Sequence, residues 1–153
     1  VNDDEKKLLE DFSEMVGKFS KHYKELRFCG HNIKEFDIPF LCRRMVINNI
    51  PLPQCMQVAG KKPWEVTHLD TMDMWRFGDY KNYTPLSLLA EVLGIPSPKD
   101  DIDGSMVSSV YWKEKDLQRI GRYCVKDVFT SAKVYLRLSG MHDVNPEAVI
   151  VEE

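Results

Sequence analysis

The spacing of apolar residues along the chain predicts helices separated by short strands. The first helix has apolar residues three and four positions apart, which places them on one face. These residues are Leu8, Leu9, Phe12, Met15, Val16 and Phe19. Asn2 or Asp3 is placed to cap this helix. A second helix is expected over residues 38–48, where Pro39 is tolerated because it falls in the first turn.

Further helices are predicted in the second half of the chain. Pro85 begins one helix and Gly94 ends it. Asp103 is placed to cap a short helix over residues 105–111. The last helix is the longest and is predicted over residues 114–138. Its apolar positions predict a buried stripe of Leu117, Ile120, Cys124, Val128, Ala132, Tyr135 and Leu138.

Two segments have the composition of strands. Residues 26–30 are mostly apolar and end in glycine, and residues 65–75 mix β-branched and aromatic residues. Because each strand leads into a helix, the order predicts an α/β layer arrangement rather than a helical bundle. We assign residues 1–140 to one domain and residues 141–153 to a C-terminal tail. The small number of strands, with Val1 in place of an opening methionine, leads us to expect a domain truncated at its N-terminal strands.

Composition narrows the class of protein. The 153 residues include 21 Lys and Arg against 24 Asp and Glu, which argues against nucleic-acid binding through a broad basic surface. A nuclease remains compatible with this charge, since acids that bind divalent cations lower it. The four cysteines form no Cys-x-x-Cys pair, so we expect a reducing, cytoplasmic location. No apolar run reaches the roughly 18 residues that cross a bilayer, so no membrane partner is expected.

Two separated acids are the main candidates for chemistry. Asp37 follows Asn32 and Phe36 and lies at or just before a helix start. Helix capping alone also explains an acid there, and on position alone we favour that explanation. Tyr123 and Asp127 are four residues apart in the last helix and therefore share one face. For this pair alone the simpler interpretation is a solvent-facing tyrosine and a surface acid.

The joint pattern resembles two motifs of the 3′-5′ exonucleases that proofread for DNA polymerases. Residues 32–37, Asn-Ile-Lys-Glu-Phe-Asp, resemble the second motif, and residues 123–127, Tyr-Cys-Val-Lys-Asp, resemble the third in its tyrosine variant. The sequence is also similar to a bacterial branch of predicted exonucleases, which are related to the proofreading domain of family-B polymerases. This similarity lies in residues 36–41, 97–99 and 103–105. The resemblance implies a ribonuclease H-like (DnaQ-like exonuclease) α/β fold of three layers with a mixed sheet.

The resemblance also implies metal-dependent hydrolysis of phosphodiester bonds at the 3′ ends of single-stranded DNA. Asp37, Tyr123 and Asp127 would be catalytic, with Asp37 and Asp127 binding two Mg²⁺ or Mn²⁺ ions. Tyr123 would orient the attacking water, since a phenol of pKa near 10 is a poor base at neutral pH. The implied nucleic-acid contacts are Asn32, Phe36 and Lys99. RNA stays open as a substrate, because no residue identifies a contact to a 2′-hydroxyl.

The family's first motif, Asp-x-Glu on an opening strand, is absent from this sequence. Asp70 and Asp73 have the wrong spacing and come too late in the chain to replace it. Two carboxylates alone bind Mg²⁺ weakly, so we expect this chain to be nearly inactive and its parent polypeptide to be an exonuclease. The alternatives are a non-catalytic domain of the same fold that binds nucleic acid or protein, and a plain α/β interaction domain.

Overall fold

Helices predominate in the computed structural model, which describes residues 1–96 and 102–141. The elements are α1 (Glu5–His22), β1 (Cys29–Gly30), α2 (Asp37–Ile47), β2 (Leu69–Asp70), α3 (Thr71–Arg76), α4 (Leu86–Val92), α5 (Val107–Ser109) and α6 (Leu117–Leu138). The strands β1 and β2 are parallel. The α/β character predicted from the element order is therefore confirmed in this coarse form. The ribonuclease H-like layering, the mixed sheet and the domain boundary at residue 140 stay predictions.

The first two helices pack together over one hydrophobic cluster. Asp4, one residue later than expected, caps α1 by accepting a hydrogen bond from the Lys7 amide at 3.1 Å. The buried members of the cluster are Leu9, Ile33, Ile38, Met45, Ile50 and Met56. Glu5 in α1 accepts two hydrogen bonds from the Arg44 guanidinium in α2, which ties the helices at their edge. The predicted second helix is confirmed, shifted by one residue at each end.

The strand prediction over residues 65–75 is wrong for most of its length. Only Leu69 and Asp70 pair with β1, and the chain then turns directly into α3. The reason is local, because the Asp70 side chain accepts a hydrogen bond from the Met72 amide and so caps the helix. β1 is likewise shorter than residues 26–30, although the Phe28 carbonyl still accepts from the Leu69 amide at 2.8 Å.

The long helix α6 begins three residues later than predicted and buries a different face. Lys115 has a φ of 59°, which ends a π-helical turn over Val110–Glu114, and Asp116 caps α6. The predicted stripe is wrong for Cys124, which is exposed, and for Val128, which is 70% exposed. The buried residues of α6 are Thr130, Ser131 and Val134. The helix packs against β1, α3 and α4 through this face.

The prediction that Asp103 caps the helix is wrong, because the N-cap of α5 is Met106, which makes no side-chain hydrogen bond there. Asp103 instead stabilises the turn that precedes the helix. Asp103 Oδ1 accepts hydrogen bonds from the Ser105 amide at 2.8 Å and the Met106 amide at 3.3 Å, and α5 follows directly. The expected helix over residues 105–111 is thus shorter and continues as the π-helical turn. None of the helices in residues 1–96 and 102–141 is both long and apolar enough to cross a bilayer.

Candidate active site

The two parallel strands end beside each other and carry the start of the site. Gly30 at the end of β1 is paired with Asp70 at the end of β2. Asp70 is 2% exposed, and its carboxylate accepts hydrogen bonds from the amides of Asn32 at 2.9 Å, Lys34 at 3.0 Å and Met72 at 3.0 Å. One buried acid therefore fixes the loop that leads into Asp37. Sequence reasoning set Asp70 aside as a misplaced metal ligand and missed this structural role.

Asn32 has the backbone conformation that this loop requires. Its φ is 59°, in the left-handed region that asparagine adopts more readily than most residues. In this conformation its amide reaches Asp70, while its buried side-chain oxygen has no hydrogen-bond partner in the part of the chain that the structure describes. The motif's asparagine thus shapes the end of the strand, and its contact with nucleic acid stays a prediction.

All three predicted catalytic residues line one cleft. Asp37 at the start of α2 and Tyr123 and Asp127 in α6 border a cavity of about 770 Å³. Asp103 and Gly104, from the loop before α5, complete this acidic part of the lining. The convergence comes from α6 packing against β1 through the face that carries Tyr123 and Asp127. Asp37 thereby shares a cavity with residues 86 and 90 positions later in the sequence.

Tyr123 and Asp127 act as a pair within this cleft. Burial and a hydrogen bond to Asp127 raise the pKa of Tyr123 to about 12, with a smaller contribution from the charge of Asp103. The tyrosine therefore stays protonated at neutral pH, and its hydroxyl donates to the Asp127 carboxylate. Gly104 lies against this hydroxyl, because a Cβ added at Gly104 would be 3.7 Å from the Tyr123 oxygen. The solvent-facing interpretation of the pair is wrong.

Asp37 is held in an unfavourable electrostatic setting. Burial raises the pKa of its carboxyl, and the nearby charge of Asp70 raises it further. The cap position of α2 belongs to Phe36, which gives no side-chain hydrogen bond, while Asp37 lies in the first turn. An acid there interacts favourably with the helix N-terminus. Desolvation and the like charge of Asp70 outweigh the hydrogen bond between the carboxyl and the Asp37 amide, so the pKa is raised on balance.

Replacing Asp37 with asparagine is expected to raise the melting temperature at pH 7 by about 1–2 °C. Because its folded-state pKa lies above the unfolded value of about 3.9, ionisation of Asp37 removes stability as pH rises through that interval. The gain should therefore disappear near pH 3, as thermal unfolding followed by circular dichroism can measure. Asp79→Asn is the comparison, since Asp79 is an exposed acid that accepts from the Lys81 amide. A lower melting temperature for Asp37→Asn at pH 7 would contradict this interpretation.

The acids of the cleft match Mg²⁺ and Mn²⁺ in chemical type but not in number. Asp37, Asp103 and Asp127 offer the hard oxygen donors that these ions prefer. Within residues 1–96 and 102–141, however, no three His, Cys, Asp or Glu side chains are grouped closely enough to hold an ion. Asp37 and Asp127 are thus suitable ligands in an incomplete set.

Of the two further predicted nucleic-acid contacts, Phe36 lies apart from the described lining of the cleft. Phe36 is 63% exposed and stacks on Phe40, with ring centroids 6.1 Å apart. Lys99 lies outside the described residues, so its role stays a prediction.

His68, which lies two residues before Asp70 in the sequence, is buried and accepts a hydrogen bond from the Phe28 amide at 3.3 Å. Burial lowers the pKa of His68, which suits a packed, neutral histidine.

Sequence reasoning missed His31 and Tyr83, which also line the cleft. His31 Nε2 donates to the Thr84 carbonyl at 2.8 Å, and His31 Nδ1 is 2.9 Å from the Thr71 hydroxyl. The histidine therefore connects the end of β1 to the segment before α4. The available signal was its position directly after Gly30, where a parallel strand ends at the edge that carries the site.

Comparison with known proteins identifies one family. The sequence model of one family, described as a predicted 3′-5′ exonuclease related to the exonuclease domain of PolB, matches residues 1–150. No curated protein and no solved structure gives a significant match. The matched region includes Asp37, Tyr123 and Asp127, the residues that meet in the cleft. The chain therefore belongs to the family of predicted 3′-5′ exonucleases related to the PolB exonuclease domain.

Proposed function

We propose that this domain hydrolyses phosphodiester bonds at the 3′ end of single-stranded DNA with the help of Mg²⁺ or Mn²⁺. The observation that carries the proposal is the meeting of Asp37, Tyr123 and Asp127 in one cleft. Membership of the exonuclease family supports the reaction class. The ribonuclease H-like fold belongs to the same proposal and agrees with the parallel pairing of β1 and β2.

Each of the three residues has a role that its surroundings support. Asp37 and Asp127 would hold the cations, and bound cations would supply a water of lowered pKa and stabilisation of the leaving 3′-oxygen. Neutralisation of Asp37 by a cation would also relieve the desolvation and like charge that raise its pKa. Tyr123 has a pKa of about 12, so it stays protonated at neutral pH and acts as a hydrogen-bond donor rather than a base. Its donation to Asp127 keeps that carboxylate oriented.

Full activity needs ligands beyond those of the described cleft. Two carboxylates bind Mg²⁺ weakly, because the ion dehydrates reluctantly. We therefore propose that Asp37 and Asp127 by themselves support little hydrolysis, and that this chain is nearly inactive. A cytoplasmic location is part of the proposal, supported by four free cysteines that suit a reducing compartment.

The second candidate is a non-catalytic domain of the same fold that binds nucleic acid or protein. One observation favours it, namely the lack of any group of three metal-binding side chains in the described part of the chain. The two candidates differ in their response to cations. A hydrolytic site must bind the ion through Asp127, whereas a binding domain has no need to do so.

We expect Mn²⁺ to raise the melting temperature of the chain and Asp127→Asn to abolish that shift. A ligand at tenfold excess over its dissociation constant stabilises the folded state by about 1.4 kcal/mol. For a domain of this size the shift is roughly 3–6 °C. Differential scanning fluorimetry over a millimolar range of Mn²⁺ measures it, with EDTA as the metal-free reference.

Glu10→Gln is the matched control, because it removes one carboxylate from the exposed side of α1, away from the cleft. This variant should keep the full shift with Mn²⁺. A 5′-labelled single-stranded oligonucleotide incubated with the same samples should show at most slow, Mn²⁺-dependent shortening from its 3′ end. Equal shifts in wild type, Asp127→Asn and Glu10→Gln would overturn metal binding in the cleft and favour the non-catalytic candidate.

A further inference from the structure

The segment between α3 and α4 is fixed at the rim of the cleft by two anchors. Near its start, the ring of Tyr80 lies over the Arg76 guanidinium at 5.6 Å, and Arg76 pairs with Glu35 and Asp73. Near its end, the Thr84 carbonyl accepts the hydrogen bond from His31. A turn in which Asp79 accepts from the Lys81 amide lies between them. The residues next to these anchors are therefore presented in a defined position.

Tyr83 lies directly before the second anchor and lines the cleft with a largely uncovered ring. It is 63% exposed, and no aromatic ring or cation in the described ranges is stacked on it. Tyr80, by comparison, is also exposed but is stacked on Arg76 and does not line the cleft. Tyr83 is thus an exposed aromatic ring beside the anchored backbone of Thr84, in the lining of the cleft that the acids also line.

The charge of the described lining is unusual for a surface that binds a nucleic-acid strand. Among its described residues there are three aspartates and no Lys or Arg. Phosphate contacts through basic side chains normally supply most of the affinity for nucleic acid. Among the described lining residues, the groups suited to a nucleic-acid end are therefore the acids, through bound cations, and an aromatic ring on which a base can stack.

We propose that Tyr83 is the stacking platform for the 3′-terminal base of the strand whose phosphodiester lies at Asp37 and Asp127. This inference rests on the proposed function and adds a residue that sets how the substrate end is held. A volume of about 770 Å³ falls within the range of roughly 300–1,000 Å³ for pockets that enclose a small ligand, so one terminal nucleotide fits. Because stacking accepts any base, Tyr83 selects for an intact terminal base rather than for a sequence.

The test is a comparison of two probes with wild type and variants in Mn²⁺. The probes are a 5′-fluorescein-labelled oligothymidylate and the same oligonucleotide with an abasic 3′-terminal residue. Fluorescence anisotropy measures affinity, and gel electrophoresis of the same samples verifies that the probes stay intact. Wild type is expected to bind the complete probe about tenfold more tightly, as one stacked base contributes. Tyr83→Ala should bind both probes with the lower affinity.

Two variants test whether the effect belongs to the Tyr83 ring. Tyr83→Phe keeps an aromatic face and should keep the tenfold preference. Tyr80→Ala removes an exposed tyrosine from the same segment outside the cleft and should also keep it. Circular dichroism of each variant establishes that it is folded. A tenfold preference that survives in folded Tyr83→Ala would overturn the inference.

The outcomes separate this inference from the proposed function. If binding needs Mn²⁺ and Asp127 but the preference survives in Tyr83→Ala, the platform is wrong and the proposed function stands. If neither probe binds wild type in Mn²⁺, both proposals fail together. If the preference is lost in Tyr83→Ala alone, Tyr83 is the platform.

Discussion

Replacing Asp70 with alanine is expected to lower the free energy of unfolding by about 3–5 kcal/mol. The carboxylate is almost fully buried and accepts hydrogen bonds from the amides of Asn32, Lys34 and Met72. Hydrogen bonds to a charged acceptor are worth roughly 1.5–3 kcal/mol each, and they share one group, so they do not add in full. Without this carboxylate the amides of Asn32 and Lys34, in the loop before Asp37, lose the acceptor that holds them.

Urea unfolding followed by circular dichroism measures this loss, with the slope of the transition monitored for departures from two-state behaviour. Asp70→Asn keeps one oxygen as an acceptor and should lose less than half as much. Asp79→Ala is the matched control, because Asp79 also accepts from a backbone amide but lies on the surface. Its cost should stay below about 1 kcal/mol. A similar small cost for Asp70→Ala would mean that the loop is held by other contacts.

Leu89→Ala is expected to cost about 2–5 kcal/mol, the range for a fully buried leucine in a packed core. Leu89 in α4 is 0% exposed and belongs to a cluster with Ala90, Ile95 and Val134. Through Val134 the cluster connects α4 to α6, the helix that carries Tyr123 and Asp127. The cavity left by the substitution would weaken the packing that holds two walls of the cleft together.

The neighbouring Leu88 provides the control for this substitution. Leu88 has the same side chain but is 51% exposed, so Leu88→Ala should cost less than about 1 kcal/mol. Urea unfolding of both variants gives the two costs under identical conditions. Comparable costs at positions 88 and 89 would show that α4 does not pack against α6 through Leu89.

The apolar repeat predicts α1 and α2, although Leu8, Met15 and Phe19 of the predicted α1 face are exposed. The spacing of Leu9 and Val16 in α1 and of Ile38 and Met45 in α2 reports their contact with the core directly. The predicted strand over residues 65–75 is wrong because the prediction rests on β-branched and aromatic residues and ignores the capping ability of Asp70. In the structure Asp70 starts α3 after two residues of strand pairing. Propensity is a weak guide where one side chain decides the local hydrogen bonding.

The face of α6 was mispredicted for a reason connected with the site. An apolar repeat was taken to mark the packed side, yet Val128 is exposed and Tyr123 and Asp127 face the cleft. Functional sites are where local pattern and tertiary structure are expected to disagree. The family resemblance implies that Asp37 lies near Tyr123 and Asp127. The places of Tyr83 and His31 in the cleft depend on contacts between segments that are distant in sequence, which the sequence alone does not reveal.

The absence of basic side chains from the described lining of the cleft also bears on how fast a strand arrives. Like-signed charges slow the encounter of two molecules, and dissolved salt screens that repulsion. Entry of a nucleic-acid end into this cleft is therefore slowed by its own phosphates until cations occupy the acids. Under the proposed function, the cations held by these acids would therefore also speed the approach of a strand, in addition to their part in hydrolysis.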